Sequence, residues 1–228
     1  MDWQFRLVLL CLQTGQALKA RDLGERLCKS IEQAYGPEHS YVAGTLNNLA
    51  GACGALGDHR EKKRLLEKAL VIQERELGKE HAEVARTLSN LAGAFGALGD
   101  YREMKRLLEK ALVIKEREFG TEHAEVAGTL NNLATVCGVL GDHREEKRLL
   151  EKALVIKERE FGTEHAEVAG TLNILAGACG GLGDHQEEKR LLEKALVILE
   201  REFGMEHAAV AKTLSNLAGA CGGREAAS

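Results

Sequence analysis

The sequence predicts an all-α fold, a right-handed α-solenoid of stacked antiparallel helix pairs. Three observations predict it. The chain repeats with a period of 42 residues: TLNNLA at 45–50 returns as TLSNLA at 87–92, TLNNLA at 129–134, TLNILA at 171–176 and TLSNLA at 213–218. Residues 105–131 and 147–173 are identical throughout. The whole chain of 228 residues holds one proline, Pro37. A fixed period of this length marks units too small to close their own core, which must stack on their neighbours.

Each half of a repeat has its own helical signature. In the first half Leu46, Leu49, Ala50 and Cys53 recur at i, i+3, i+4 and i+7, one face of an α-helix. That helix ends near Gly57 and Asp58. In the second half Leu65, Leu66, Ala69, Leu70, Ile72 and Leu77 make a broader apolar face, suited to touching its own partner and the first helix of the next repeat. Gly78 sits where a left-handed C-terminal cap is needed, and Gly120, Gly162 and Gly204 repeat it. The segment from Lys79 to His81 links to the next helix, with His81 or its neighbour as N-cap, although His is not a favoured capping residue. The expected organisation is one solenoid domain over 3–222. It comprises a degenerate repeat at 3–44, full repeats at 45–86, 87–128, 129–170 and 171–212, and an unpaired helix at 213–222. Residues 223–228 are expected to be a disordered tail.

Composition narrows the function classes. Net charge is −4 from well-mixed acids and bases, with neither a basic stripe nor base-stacking aromatics, so nucleic acid is not an expected partner. The apolar run Leu7 to Leu12 is too short for a membrane span or a signal-peptide core. It aligns at the same offset with the first clear repeat, Cys11 on Cys53 and Gly15 on Gly57. A cytoplasmic location is expected, with no membrane partner.

The string LNNLA, the LGD turn, the LLEKAL helix and the Gly-x-Glu-His link together resemble the 42-residue tetratricopeptide repeats of kinesin light chains and nephrocystin. The resemblance covers nearly the whole chain. It implies helix pairs stacked into a concave groove that binds other proteins. Two features depart from it. The small Ala usual early in the second helix survives only as Ala20 and is replaced by Lys62, Met104, Glu146 and Glu188. The large aromatic of the first helix is replaced by Cys53, Cys137, Cys179 and Cys221, with Phe95 the exception. A shrunken first helix leaves room for a longer side chain opposite, whose charged end can snorkel outward. Kinesin light chains also carry a heptad coiled coil before their repeats. This chain starts directly in a repeat, so motor attachment is not supported.

The resemblance places the Asn before the second Leu in the groove, where it bonds the backbone of an extended peptide. A carboxamide offers a peptide unit both donor and acceptor. Asn48, Asn90, Asn132 and Asn216 stand in this register, with Asn47, Asn131 and Asn173 beside some of them. The alternative is that they bond the neighbouring helix and fix stacking. Ile174 interrupts the ladder and makes the groove locally apolar, suited to a side-chain pocket. Glycines at 44, 51 and 54 and their echoes fit close approach of adjacent first helices, or of a ligand backbone. Arg86 and Lys212 replace Gly in this series and suit an acidic ligand.

No metal, cofactor or catalytic chemistry is expected. Equivalent cysteines in stacked repeats stand roughly 8–10 Å apart, too far for one zinc ion or a disulfide. The eight histidines recur in links and at second-helix starts, which fits structural roles. The expected function is a non-enzymatic adaptor that binds a partner's peptide segment. The alternatives are a self-assembling array, associating through the last helix, or a fragment of a larger scaffold.

Overall fold

The computed structural model describes residues 2–222, apart from the side chains of 2–5, 7, 9, 221 and 222; the expected tail at 223–228 and the side chain of Cys221 lie outside the described residues. Eleven helices account for nearly all of it: α1 (Asp2–Gln13), α2 (Ala17–Tyr35), α3 (Ser40–Ala55), α4 (His59–Leu77), α5 (Ala82–Ala97), α6 (Tyr101–Phe119), α7 (Ala124–Val139), α8 (His143–Phe161), α9 (Ala166–Gly181), α10 (His185–Phe203) and α11 (Ala208–Gly222). They alternate between a first helix rich in Ala, Gly and Leu and a longer, charged second helix. The architecture is an all-α solenoid of antiparallel pairs.

The chain divides into two compact units, one ending at Glu118 and one beginning at Phe119. In the first, α3 packs on α2, α4, α1 and α5, and α4 also reaches α5. In the second, α7 packs on α8 and α9, α9 on α8 and α10, and α11 on α10. The second helices α4, α8 and α10 therefore each touch two first helices, which explains their broad apolar faces. Leu65, Leu66, Ala69 and Ile72 are buried in α4, as are Leu149, Leu150, Ala153 and Ile156 in α8.

Helix starts follow two distinct chemistries. Asp58, Asp142 and Asp184 cap second helices by accepting from the backbone N–H three residues on, at 3.0–3.1 Å. First helices begin at the link histidines. Nδ1 of His39, His81, His123 and His165 accepts from the backbone N–H two residues on, each at 3.1 Å. These caps start the first helices five residues before the repeated TLNNLA string, so the last helix begins at Ala208, not at 213. Second helices end at Gly78, Gly162 and Gly204 with φ near +80° and ψ near 160°. That is the extended positive-φ region open essentially to glycine, rather than the left-handed helical one.

The slot early in each second helix meets glycine. A Cβ on Gly54 would stand 2.9 Å from Lys62, on Gly96 2.6 Å from Met104, on Gly138 2.5 Å from Glu146, and on Gly180 2.7 Å from Glu188. These glycines make room for the enlarged slot residue rather than for a neighbouring first helix. Glu146 is buried there against His143 Nδ1 at 2.9 Å, and Glu188 pairs with His185 at 3.0 Å. Burial pushes the Lys62 ammonium below its usual pKa. Its stem crosses Gly54 and its Nζ approaches Gly93, the snorkelling the sequence predicts.

Replacing Asp142 with Ala is expected to cost about 1 kcal/mol in chemical denaturation, and Asp142→Asn much less, because only the acceptor for Glu145 N–H matters.

Candidate functional site

The first helices place their asparagines in two registers one residue, and so roughly a quarter-turn, apart. The two registers differ in environment. Asn47 is buried, and its Nδ2 donates to Ala43 O at 3.2 Å and to Thr87 Oγ1 on α5 at 2.9 Å. Thr87 in turn donates to Gln73 Oε1 on α4 at 2.6 Å. In the second unit Asn131 donates to Thr171 and Asn173 to Thr213, each at 3.0 Å. Asn47, Asn131 and Asn173, expected beside the ligand, thus spend their amides stapling one first helix to the next. Asn131 and Asn173 are half-buried, and each keeps a buried Oδ1 with no donor.

The second register faces outward. Asn90, Asn132 and Asn216 are exposed and Asn48 is half-buried. Asn90 leans 3.4 Å from the Asn47 Oδ1, with its own Oδ1 unengaged. Arg86 is exposed and pairs with Glu83 at 2.5 Å. Lys212 is exposed, with no ion-pair partner among the described residues.

A cavity of about 450 Å³ opens in the second unit between α7, α8, α9, α10 and α11. Ile174, Leu199 and Phe203 give it an apolar lining, and Lys212, Asn131 and Asn173 line it as well. On the α8–α9 side the Lys157 ammonium reaches Glu167 Oε2 at 2.8 Å. Lys157 is buried, and its hydrogen bond holds the Glu167 carboxyl below the usual carboxylate range. At the next junction the equivalent positions are Leu199 and Ala209, so the ion pair is replaced by two apolar side chains. The Ile174 interruption was visible as a break in the Asn ladder. Leu199 and Ala209 were missed, because their signal lies in two columns 42 residues apart: Gln73, Lys115, Lys157, Leu199 and Glu83, Glu125, Glu167, Ala209.

The remaining polar groups do not converge. Among the described residues, no group of three or more His, Cys, Asp or Glu side chains is placed to hold a metal ion. Cys11, Cys28, Cys53, Cys137 and Cys179 are buried free thiols, and burial raises the pKa of Cys28, Cys53 and Cys179. Phe119, Phe161 and Phe203 stack on His123, His165 and His207 in the links. No helix among the described residues is long and apolar enough to cross a membrane.

Family profiles described as tetratricopeptide repeats match residues 45–103, 95–159 and 168–209. No curated protein sequence matches the chain significantly. Among solved structures, the chain is similar to the nearly identical TPR-like repeats of a Podosopora anserina protein assigned as a kinesin light chain. Identity is 28%, coverage 89% of this chain and 96% of that one, and TM-score 0.76. BtubC (BKLC) from P. vanneervenii is 23% identical, with coverage of 93% and 82% and TM-score 0.73. The apo quorum sensor NprR from B. thuringiensis is 18% identical over 93% of this chain and 57% of that one, with TM-score 0.75.

Two outcomes follow from these environments. Thr171→Val strips the Asn131 carboxamide of its hydrogen-bond partner and is expected to cost about 1–3 kcal/mol. Asn132→Ala, on the same helix but exposed, should stay within about 0.5 kcal/mol. Chemical denaturation of both variants makes the comparison. Second, because its folded pKa is lowered, ionised Glu167 adds stability above the ordinary carboxylate range, and that increment is lost as pH falls through the folded pKa. Glu167→Gln should therefore flatten the acid limb of stability against pH. The effect should be modest, since the carboxylate is more than half exposed.

Proposed function

Because the chain belongs to the tetratricopeptide-repeat family, we propose that it is a non-enzymatic cytoplasmic interaction module that holds an extended peptide segment of a partner protein. The segment lies along the outward register of the first helices. The observation that carries this reading is the split between the two asparagine registers. The inner one gives its Nδ2 groups to stacking, which leaves the carboxamides of Asn48, Asn132 and Asn216, and the Oδ1 of Asn90, to meet a peptide backbone. Such contacts grip a main chain without dictating its sequence. Arg86 and Lys212 add a preference for acidic ligands. The likeness to repeats assigned as a kinesin light chain supports a protein partner, and the reading does not extend to a motor.

A second reading is self-association, favoured by the exposed face of α11. Leu214 and Ala218 are exposed and Leu217 half-buried, whereas their counterparts Leu172, Leu175 and Ala176 are buried. A second copy would cover that face, and so would a further second helix. A concentration-independent monomer in light scattering sinks this reading.

The groove reading is tested by capture of partners on the wild-type chain beside a folded Asn48→Ala/Asn90→Ala/Asn132→Ala variant. Loss of a specifically captured protein by the variant is expected. Equal capture by both places recognition elsewhere.

A further inference from the structure

An array of near-identical repeats has a physical problem as a receptor. A ligand that meets the same carboxamide every 42 residues binds almost equally well when shifted by one repeat. Specificity is a difference of free energies, and identical sites supply none. Register can be set only where the array departs from its own period.

Four departures meet at one place. Ile174 stands where the other full repeats and the last helix carry Asn. Leu199 stands where the three earlier full repeats carry Gln or Lys, at 73, 115 and 157. Ala209 stands where the counterparts at 83, 125 and 167 are Glu. Lys212 stands where three of the four earlier counterparts are Gly. All four line the same cavity in the second unit. Their effects are concerted. Leu199 and Ala209 together remove the ion pair that Lys157 and Glu167 make one repeat earlier, so neither leaves a charge stranded. Ile174 adds apolar surface from α9, and Phe203 adds more from α10. The charges left are Lys157, neutralised by Glu167, and Lys212, which has no counter-ion among the described residues. The cavity therefore combines an apolar lining from Ile174, Leu199, Phe203 and Ala209 with one uncompensated positive charge, beside the carboxamides of Asn131 and Asn173.

We propose that this cavity receives one apolar side chain of an extended peptide, with an acidic neighbour on the Lys212 ammonium, and so fixes the register of a ligand that the periodic repeats hold only by its backbone. The proposal rests on the groove reading above. The outward asparagines supply sequence-tolerant grip, and the α9–α11 cavity supplies the anchor. An aliphatic or aromatic side chain fits its apolar lining, and a basic neighbour is repelled at Lys212. Lys212 is exposed, so its contribution falls as salt rises.

The test uses substitutions the array itself supplies. Ile174→Asn, Leu199→Lys and Ala209→Glu each install the residue found at the same position of a neighbouring repeat, so the combined variant is expected to fold as those repeats do. A display library of random linear peptides is selected on the wild-type chain, and the enriched peptides are titrated by fluorescence anisotropy. Enriched sequences should share one apolar residue beside an acid. The triple variant should bind them about tenfold to a hundredfold more weakly, the loss expected for withdrawing one buried side chain. Lys212→Gly should weaken them less and flatten the salt dependence. Enriched peptides that bind wild type and the triple variant equally overturn the anchor and leave the groove reading standing. A library from which nothing enriches overturns both.

Discussion

Every feature of this chain depends on one constraint: a single helix pair cannot bury its own apolar stripe. The first helix carries Leu and Ala on more than one side, and it closes only when a second helix lies against each flank. Leu46, inside the first unit, is 3% exposed, whereas Leu214, the same position in α11, is 44% exposed, with a second helix on one flank of α11 among the described residues. Full burial of a leucine side chain contributes roughly 1.5–3 kcal/mol, so most of the stability of a repeat resides in the interfaces between repeats. That is the nearest-neighbour logic of a linear array. It also explains why Ala43, Ala50 and Ala52 are wholly buried: a helix enclosed on several sides has room only for small residues.

The same closeness governs the polar groups. Amides buried between first helices must be satisfied locally, and the Asn–Thr staples do this while fixing how one repeat sits on the next. The slot early in the second helix shows the complementary solution. A helical glycine costs roughly 1 kcal/mol relative to alanine. Here Gly54, Gly96, Gly138 and Gly180 leave space for side chains as unlike as Lys62, Met104, Glu146 and Glu188. What the slot demands is a long stem with a mobile end, and its charge is free to vary. Lys62 sends its ammonium toward Gly93, while Glu146 turns to His143.

Much of this was legible in the sequence because periodicity carries it. Helix identity, pairing and the broad face of the second helices follow from apolar spacing and the 42-residue period. The two asparagine registers were harder to separate. Asn47 and Asn48 are adjacent and chemically identical, and only the position of Thr87 decides that Asn47 faces inward. The glycines were legible as a packing device, but their partner lay on the second helix of the same repeat. The cap at His81 was legible from the link that precedes it, and its Nδ1 does the work usually given to Ser, Thr or Asp; the start of the last helix was not, and it lies at Ala208 rather than at 213. The cavity was half legible: Ile174 breaks a visible ladder, while Leu199 and Ala209 read singly as ordinary apolar residues.

That asymmetry bears on how such a chain can carry information. Duplication copies every contact a repeat makes, including those that serve stacking alone, so recurrence of a residue says little about ligand recognition. A departure from the period is different, because it must be accommodated by neighbours that remain unchanged. Replacing Lys with Leu at 199 while Glu persisted at 209 would leave that carboxylate to neutralise Lys212 three residues on, as Glu83 does Arg86, and so cancel the free charge. Replacing Glu alone would strand a buried ammonium. Both changed, and the place where they changed also holds Ile174 and Lys212. In an array whose repeats otherwise copy one another, coupled departures that meet in one cavity are where recognition of a particular ligand can reside.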